Sequence, residues 1–330
     1  MTTNLTIGVL GAAKISTPAL LQPAADTDGV NVTAIAARDR SRAQAQADAF
    51  SIPQVFDTYE EVLASDVDAI YNPLPISLHR EWTLKALAAG KHVLCEKPFA
   101  SNADEARDMV AAADAAGLVL VEAFHWRFHP LADRIAERVG DVGVMQHIEA
   151  DFSVEISPAD DVRQSYELSG GALMDLGCYP AQWIRFVGNG EPTVTSASMD
   201  QGRPDVDITT TVEMAFADGV TARLFTAMHP GTERGASLTV TGDEGVLHVV
   251  NPIAPHHGHQ LTFTPADGEP QHEVVEGRTT YHHQIEAFRA AVLDGVVAPT
   301  GGADAIATME LIDAAYLAAG LSLRGSDRRQ

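Results

Sequence analysis

Lys97 and Tyr179 are two side chains of this sequence that could exchange a proton with an alcohol or a ketone. A tyrosine with its ordinary pKa of about 10 is a weak base at neutral pH. A neighbouring lysine ammonium favours the phenolate and thereby lowers that pKa. Lys97 follows the apolar segment His92–Cys95, between Glu96, which could hold it, and Pro98, which fixes the chain direction. The pair therefore favours acid–base chemistry at a carbon–oxygen bond.

Asp175 lies four residues before Tyr179. Residues four apart on a helix share one face, so Asp175 could orient a substrate or Tyr179. Pro180 is tolerated mainly in the first turn of a helix, so Asp175 could equally be a plain helix N-cap. Lys97 and Tyr179 also have alternatives without a catalytic role. Lys97 could be a surface lysine, and Tyr179 could pack its helix against a sheet.

A glycine-containing turn follows the first apolar segment, Leu5–Leu10. The residues from Gly8 to Ala13 resemble the dinucleotide-binding pattern G-x-G-x-x-G/A, but with a shifted spacing. Gly11 would let the backbone approach a pyrophosphate, and Ala12 would open a helix whose free N–H groups favour an anion. An ordinary turn is the alternative. The position between the first strand and the first helix favours nucleotide binding.

The residues after the second predicted strand bear on the choice of cofactor. In NAD-selective sites an acidic residue here accepts hydrogen bonds from the ribose hydroxyls. Ala37 occupies the position that aligns with this acid, and Arg38 follows it. A guanidinium is the natural partner of a 2′-phosphate, and Ser41 and Arg42 could add to the same pocket. These residues predict NADP, while Asp39 leaves NAD possible; a solvated surface arginine is the alternative.

Strand-like and helix-like segments alternate in the first half of the sequence. The predicted strands are Leu5–Leu10, Val30–Ala36, Asp68–Asn72, His92–Cys95 and Leu118–Glu122. The predicted helices are Ile15–Ala25, Ser41–Phe50, His79–Ala89 and Asn102–Ala116. This alternation with short connections predicts a parallel, doubly wound sheet. Ligands bind at the carboxyl edge of such sheets, where Lys97 is expected to lie.

Beyond about residue 125, predicted strands follow one another without crossover helices. They are His147–Glu155, Thr193–Met199, Thr209–Phe216, Val220–Ala227, Ser237–Thr241, Gly245–Val250 and Gln260–Thr264. Helices are predicted at Pro130–Arg138, Cys178–Val187, His282–Leu293 and Ala303–Ala319. The second half is therefore expected to form a largely antiparallel sheet with a hairpin turn at Asp218-Gly219. We expect one domain over residues 1–124 and another over 125–330.

Four segments resemble the glucose–fructose oxidoreductase and inositol dehydrogenase (Gfo/Idh/MocA) family. They are Asn72–His79, Glu96-Lys97-Pro98, Glu122–Pro130 and Gly170–Pro180, in the order of the family and spread over essentially the whole chain. The resemblance implies a Rossmann NAD(P)-binding domain and an α/β domain for substrate binding and oligomerisation. It also implies an open-faced, mostly antiparallel sheet that pairs subunits into a homodimer or homotetramer.

The resemblance further implies roles for individual residues. Lys97, Tyr179 and Asp175 are expected to be catalytic. Many relatives carry histidine at the position of Tyr179, and tyrosine is typical of the glucose–fructose oxidoreductase, dihydrodiol dehydrogenase and sugar dehydrogenase branch. The expected cofactor-binding residues are Gly8, Gly11, Ala12, Ala13, Arg38, Ser41, Arg42, Pro73, Leu74, His79, Glu96, Lys97, Trp126 and Arg127. The expected substrate-binding residues are Lys97, Trp126, Asp175, Tyr179 and His283.

These features predict an NAD(P)-dependent dehydrogenase or reductase, with NADP favoured, that acts on CH–OH groups. It would transfer a hydride between the nicotinamide and a hydroxyl or ketone carbon of a sugar or cyclic polyol. One alternative is a non-catalytic NAD(P)-binding regulator of the same fold, which would have no need of Lys97 and Tyr179. Others are a dihydrodiol dehydrogenase acting on non-sugar diols and a reductase of C=N or C=C bonds.

Composition narrows the partners to a small molecule. The chain has 45 acidic and 22 basic residues and a net charge of −23, which disfavours nucleic acids and anionic membranes. No apolar run approaches the roughly 18 residues of a membrane span, and no signal-peptide pattern is present. Two isolated cysteines indicate reduced thiols, so a cytoplasmic protein is expected. The His256-His257-Gly258-His259 segment lacks the ligand spacing of a zinc site, so no metal is expected.

Overall fold

The computed structural model describes residues 4–156 and 161–325, which fall into two compact units. The first unit comprises Met1–Phe128 and Tyr281–Ile306, and the second comprises His129–Thr280 and Ala307–Gln330. The division expected from the sequence, at residues 124 and 125, gives each domain one continuous segment. In the structure, the segment Tyr281–Ile306 packs with the first unit, so each unit contains two segments of the chain.

The first unit is built on a parallel sheet, called the first sheet below. Its six strands among the described residues are β1 (Leu5–Leu10), β2 (Val30–Ala36), β3 (Gln54–Phe56), β4 (Ala69–Asn72), β5 (His92–Cys95) and β6 (Leu120–Glu122). Their order is β3-β2-β1-β4-β5-β6, which is the order of dinucleotide-binding folds. Apolar residues fill these strands because both faces of the sheet are covered. The predicted parallel, doubly wound sheet is confirmed.

Helices connect the strands of the first sheet. They are α1 (Gln22–Ala25), α2 (Arg40–Phe50), α3 (Tyr59–Ala64), α4 (His79–Ala88) and α5 (Ala103–Ala116). A π-helical turn, Thr17–Leu21, precedes α1 and carries Pro18 in its first turn. Sequence reasoning passed over β3, which has only three residues, and α3. The latter begins with a capping box in which Thr58 and Glu61 bond to each other's backbone N–H, and this pattern is readable from the sequence.

The second unit contains a sheet that is called the second sheet below. Its eight strands in the described chain are β7 (Met145–Ser153), β8 (Thr193–Arg203), β9 (Val206–Ala215), β10 (Thr221–Ala227), β11 (Gly235–Gly242), β12 (Gly245–Val250), β13 (Gln260–Pro265) and β14 (Gln271–Glu273). Their order is β14-β13-β12-β11-β7-β10-β9-β8. All neighbours are antiparallel except β7 and β10, so the prediction of a mostly antiparallel sheet is confirmed. Gly219, with φ of 92°, forms the predicted hairpin turn between β9 and β10.

The remaining helices are α6 (Pro130–Val139), α7 (Cys178–Val187), α8 (Thr280–Asp294) and α9 (Gly302–Ala318). Within the second unit, α7 packs on the face of the second sheet that carries Ile148 and Leu224. Ile285 and Phe288 of α8 are buried in the core of the first unit, which is why this helix joins the first unit. Within residues 4–156 and 161–325, none of the helices has the length and apolar character needed to cross a membrane.

Candidate active site

The carboxyl edge of the first sheet carries most of the residues that the sequence singles out. The strand order reverses between β1 and β4, and ligands of open parallel sheets bind outside the carboxyl ends of the strands at such a point. Gly11 follows β1, Leu74 follows β4, and Lys97 follows β5. Because parallel strands end at the same edge, these three residues lie on loops at one edge of the first sheet.

The turn after β1 contains a glycine in the left-handed region that is bonded to the end of β2. Gly11 has φ of 93°, in the left-handed region, and its N–H donates to the carbonyl of Ala36 at 2.7 Å. A Cβ at Gly11 would lie 3.1 Å from Leu74 Cδ2, whereas one at Gly8 would lie 2.6 Å from Val62 Cγ1. Gly8 therefore allows α3 to pack on β1, and Gly11 allows Leu74 of the loop after β4 to approach the turn. The helical turn begins at Thr17, four residues after Ala13, which is later than predicted.

The segment that begins α2 carries a carboxylate that is engaged by its neighbours and an exposed guanidinium. Asp39 is the N-cap of α2 and accepts hydrogen bonds from the Ser41 hydroxyl at 2.6 Å and the Ser41 N–H at 3.0 Å. These hydrogen bonds lower the pKa of Asp39. Arg42 Nη2 donates to the carbonyl of Ala12 at 2.6 Å and so holds the turn after β1. Among the described residues, the exposed Arg38 guanidinium has no hydrogen-bond or ion-pair partner, which leaves it free for an anion.

Lys97 lies on a loop whose backbone is held by the buried carboxylate of Glu96. Glu96 Oε1 accepts a hydrogen bond from the hydroxyl of Tyr71 at 2.7 Å, and Oε2 accepts from the Lys97 backbone N–H at 3.3 Å. Burial and the charge of Glu96 raise the pKa values of Tyr71 and of Tyr281 well above the ordinary value. Both phenols thus stay protonated beside the carboxylate. Glu96 orients the backbone of the half-buried Lys97.

His79 joins the loop after β4 to the loop after β5. Its Nε2 lies 2.8 Å from the Leu74 carbonyl oxygen, and its Nδ1 lies 3.0 Å and 3.3 Å from the carbonyl oxygens of Pro98 and Phe99. Burial lowers the pKa of His79 to about 4, although the carbonyl oxygens oppose this shift. The ring is therefore neutral at neutral pH and has one N–H, which it can donate to one loop at a time. The imidazole is only 1% exposed. Through its contacts with the Leu74 and Pro98 carbonyl oxygens, it links the two loops.

The residues after β6 form a 3-10 turn, His125–Phe128. Trp126 is 2% exposed, so its indole ring has almost no free surface in this conformation. Arg127 is half-buried, and Pro73, after β4, is buried. In the same unit, the ring of His125 lies 4.2 Å from that of Tyr281 on α8. His283, also on α8, has its Nδ1 3.8 Å from Glu286 Oε2.

In the second unit, Tyr179 is the second residue of α7. A π-helical turn, Leu173–Gly177, leads directly into this helix, and Pro180 falls in the first turn of α7 as expected. The Tyr179 ring packs edge-on against Phe152 of β7, at 5.6 Å between centroids, and lies 6.2 Å from the Trp183 ring. The ring is 4% exposed. Its direction is thus set by the second sheet and by α7 together.

Asp175 lies within the π-helical turn and pairs with an arginine that sequence reasoning missed. Arg163 Nε donates to Asp175 Oδ2 at 2.6 Å, and Arg163 Nη1 donates to Asp161 Oδ1 at 3.2 Å. The charge of Asp175 raises the pKa of Arg163 further above its ordinary value. The N-cap of α7 is Gly177, which makes no side-chain bond, so the N-cap interpretation of Asp175 is wrong. Arg163 belongs to no motif, and no signal in the sequence pointed to it.

Within residues 4–156 and 161–325, no group of three or more histidine, cysteine, aspartate or glutamate side chains is arranged to hold a metal ion. His259 Nδ1 lies 3.1 Å from the Pro255 carbonyl oxygen, and its Nε2 accepts from the Val275 N–H at 2.9 Å. Both nitrogens of this ring are thus engaged by the backbone.

Two family models match the chain. The first, the oxidoreductase family with an NAD-binding Rossmann fold (GFO_IDH_MocA), matches residues 5–124, and the GFO/IDH/MocA C-terminal domain matches residues 106–248. The D-xylose 1-dehydrogenase (NADP(+)) 2 of Haloferax volcanii is 34% identical over 94% of this chain and 95% of that protein. The trans-1,2-dihydrobenzene-1,2-diol dehydrogenase of Xenopus tropicalis is 38% identical over 56% of this chain and 57% of that protein.

A solved structure is similar over both units. The complex of KijD10, a 3-ketoreductase from Actinomadura kijaniata, with NADP and TDP-benzene has a TM-score of 0.88 and 28% identity. The match covers 96% of this chain and 98% of that one. The chain belongs to the Gfo/Idh/MocA family of oxidoreductases, as the sequence motifs indicated. The similar proteins are a xylose dehydrogenase, a dihydrodiol dehydrogenase and a 3-ketoreductase, and this protein is accordingly an NAD(P)-binding oxidoreductase.

Proposed function

We propose that this protein is an NADP-dependent dehydrogenase or reductase that interconverts a hydroxyl and a carbonyl group on a sugar or cyclic polyol. The observation that carries the proposal is the place of Lys97 at the carboxyl edge of the first sheet. Its loop is fixed by Glu96 and His79, and this edge also carries the open turn at Gly11. A lysine on a fixed loop beside a dinucleotide turn is suited to hold a substrate oxygen during hydride transfer.

Bound NADP(H) supplies or accepts the hydride. In our proposal, the Tyr179 phenol oxygen takes the hydroxyl proton when the alcohol is oxidised and returns it when the ketone is reduced. Lys97 favours the phenolate electrostatically and binds the substrate oxygen. Asp175, held by Arg163 Nε at 2.6 Å, orients the substrate or Tyr179.

Support for NADP comes from the start of α2. The Asp39 carboxylate is engaged as an N-cap by Ser41, and the Arg38 guanidinium is free of partners within the described chain. A forked guanidinium binds a 2′-phosphate with two hydrogen bonds. Two similar proteins carry NADP in their names or complexes, the Haloferax dehydrogenase and KijD10.

The test of the proposed function is turnover by Tyr179→Phe and Lys97→Met. Removal of the acid–base group is expected to lower kcat by about 10² to 10⁴-fold, because the proton then has no positioned donor or acceptor. The matched control is Lys85→Met, since Lys85 is a surface lysine of α4 paired with Glu81 at 2.7 Å. The substrate panel contains aldoses, pyranosides, anhydro-sugars and a trans-dihydrodiol, with NADP and NAD. Unchanged kcat in both variants would contradict the roles of Tyr179 and Lys97.

A diol outside the sugars is the second candidate substrate class, since the similarity to the Xenopus diol dehydrogenase favours it. Higher kcat/KM on the trans-dihydrodiol than on every sugar would support this candidate. Tight NADP binding without turnover of any panel member would instead support a non-catalytic regulator.

We also propose that the chain forms a homodimer or homotetramer through the open face of the second sheet. The face opposite α7 carries the half-buried side chains of Asp151, Phe225 and Ser237. A partly apolar sheet face of this kind gains free energy when a second copy covers it. In this proposal residues 1–124 serve the cofactor, and residues 125–330 serve the substrate and the assembly. A cytoplasmic location is part of the same proposal, supported by Cys95 and Cys178, which are buried and not joined in a disulfide.

A further inference from the structure

A fully buried ion pair lies in the second unit beside the segment that carries Asp175 and Tyr179. Arg324 Nη2 is 3.0 Å from Asp207 Oδ1, and both side chains are 0% exposed. Asp207 lies on β9, and Arg324 lies 117 residues further along the chain. Removing two charges from water is costly, so a buried pair is expected only where many hydrogen bonds offset that cost.

Asp207 uses both carboxylate oxygens to hold neighbouring groups. Its Oδ2 accepts from the Leu173 backbone N–H at 2.7 Å and from the Thr210 hydroxyl at 2.9 Å. Its Oδ1 accepts from the Tyr316 hydroxyl at 2.8 Å in addition to Arg324. Leu173 is the first residue of the π-helical turn that leads into α7. Asp207 thus anchors the start of this turn.

Arg324 holds the chain on the other side of the same turn. Its Nε donates to the Gly170 carbonyl at 2.8 Å, and its guanidinium carbon lies 4.2 Å from the Tyr316 ring centroid and 5.1 Å from that of Tyr166. The Tyr166 hydroxyl donates to the Leu323 carbonyl at 3.0 Å, which fixes the segment carrying Arg324.

Gly171 lies between the two anchored positions and shows how closely the pair approaches the backbone. Its φ is 133°, and a Cβ there would lie 2.1 Å from Asp207 Oδ1 and 3.0 Å from Arg324 Nη2. Only glycine allows this approach. The carbonyl of residue 170 and the N–H of residue 173 are therefore bound by one charge pair, two residues before Asp175.

We propose that Asp207 and Arg324 are positioning residues that set the direction of Tyr179 through the Leu173–Gly177 turn. The proposal rests on the proposed role of Tyr179. Both side chains are fully buried, so they act on the reaction only through the backbone that they bind. Activity then depends on the segment around Arg324, which carries no part of the catalytic motifs.

The test is the double variant Asp207→Asn/Arg324→Met, because it removes both charges and leaves neither buried alone. We expect kcat to fall by about 100-fold, since a small misplacement of a reacting group costs this much. The Kd for NADPH should stay unchanged, because Gly11 and Arg38 belong to the first unit. The apparent pKa of the limb of the kcat profile that reports the Tyr179 phenol should also shift, because the surroundings of the phenol change.

The matched control is Arg134→Met/Glu273→Gln, which removes another ion pair of the second unit with an Nε–Oε2 distance of 2.6 Å. It should retain wild-type kcat and pH profile. A folded Asp207→Asn/Arg324→Met protein with wild-type kcat and profile would overturn the positioning role. If the double variant does not fold, Arg324→Lys decides, since it keeps the charge but loses the fork that reaches Gly170. Wild-type kcat in Arg324→Lys overturns the proposal, and reduced kcat with unchanged NADPH affinity supports it.

Tyr179→Phe, measured in parallel, distinguishes the positioning role of the charge pair from the proposed role of Tyr179 itself. A loss of kcat in Tyr179→Phe with wild-type kcat in the folded charge-pair variants refutes the positioning role alone. Wild-type kcat in Tyr179→Phe refutes the proposed role of Tyr179 itself.

Discussion

Arg38 and Arg40 lie two residues apart beside the start of α2, yet their surroundings differ. Arg40 forms an ion pair with Asp57 and donates to the Val55 carbonyl at 3.1 Å. The Arg38 guanidinium has no hydrogen-bond or ion-pair partner in the part of the chain that the structure describes. At the scale of single residues, the partner rather than the residue type decides which arginine is available to a phosphate.

Arg38→Ala is therefore expected to lower the preference for NADP over NAD. Hydrogen bonds to charged groups contribute about 1.5–3 kcal/mol, which corresponds to roughly 10 to 100-fold in the ratio of kcat/KM values. The ratio is measured with each cofactor at saturating substrate. Arg40→Ala is the matched control and should leave the ratio unchanged. An unchanged ratio in Arg38→Ala would mean that this residue does not bind the 2′-phosphate.

The role of Asp175 also depends on its surroundings rather than on its residue type. Sequence alone left it as an N-cap or as an orienting carboxylate, because both roles suit an aspartate ahead of a helix. The N-cap of α7 is Gly177 and that of the π-helical turn is Ala172, which removes the first possibility. The π-helical turn explains why: it extends the helical path back to Leu173, so Asp175 lies inside it.

At the scale of elements, the loops after β4 and β5 depend on one imidazole. His79 is the first residue of α4, and its ring contacts the carbonyl oxygens of Leu74 and Pro98. Since Lys97 precedes Pro98 in the chain, the imidazole also restrains the loop of the proposed catalytic lysine. Protonation of His79 in the folded state is disfavoured by burial, which gives this link a dependence on pH.

The folded-state pKa of His79, about 4, lies below the ordinary value of 6.5. The unfolded state therefore binds more protons than the folded state below pH 6.5. Stability should fall as the pH decreases from 6.5 towards 4, by about 3 kcal/mol from this residue. In His79→Gln, the free energy of unfolding, measured by urea titration, should change less between pH 7 and pH 5 than in the wild type.

The matched control for this prediction is His272→Gln, since His272 is an exposed histidine on β14. Its stability should follow the wild-type pH dependence. Equal pH slopes for wild type and His79→Gln would show that His79 has the same pKa in the folded and unfolded states, so that burial does not lower it.

At the scale of the whole molecule, the two faces of the second sheet have different surroundings. Ala222 and Leu224 of β10 are buried on the face toward α7, while Arg223 on the other face pairs with Glu149 at 3.3 Å. Side chains alternate between the faces of a strand, so this pattern leaves Phe225 on the face opposite α7. A half-buried aromatic ring among charged groups is a favourable anchor for a second copy of the sheet.

Phe225→Asp is expected to dissociate the proposed homo-oligomer, because it would bury a carboxylate near Glu149 and Asp151 without a partner. Size-exclusion chromatography with light scattering should give a dimer or tetramer for the wild type and a monomer for this variant. Val274→Asp, at an exposed position of the second unit, should keep the wild-type mass. A monomeric wild type, or a variant with unchanged mass, would contradict an interface on this face.

The sequence by itself determined the elements and the family of this protein. Strand and helix periodicities, turns and caps are local, so they predicted the parallel first sheet, the mostly antiparallel second sheet and the loops of Gly11 and Lys97. The sequence did not predict β3 and β14, because a strand of three residues is too short to show a clear alternation. Motifs such as Glu96-Lys97-Pro98 were equally readable, since their residues are adjacent.

Only the tertiary structure decided which side chains meet. Arg163 with Asp175, and Arg324 with Asp207 across 117 residues, pair because the fold brings their segments together. No periodicity encodes such a pair, because either arginine would look like a surface charge in its own segment. The return of α8 to the first unit has the same cause: its apolar face is visible in sequence, but the core that buries it is not.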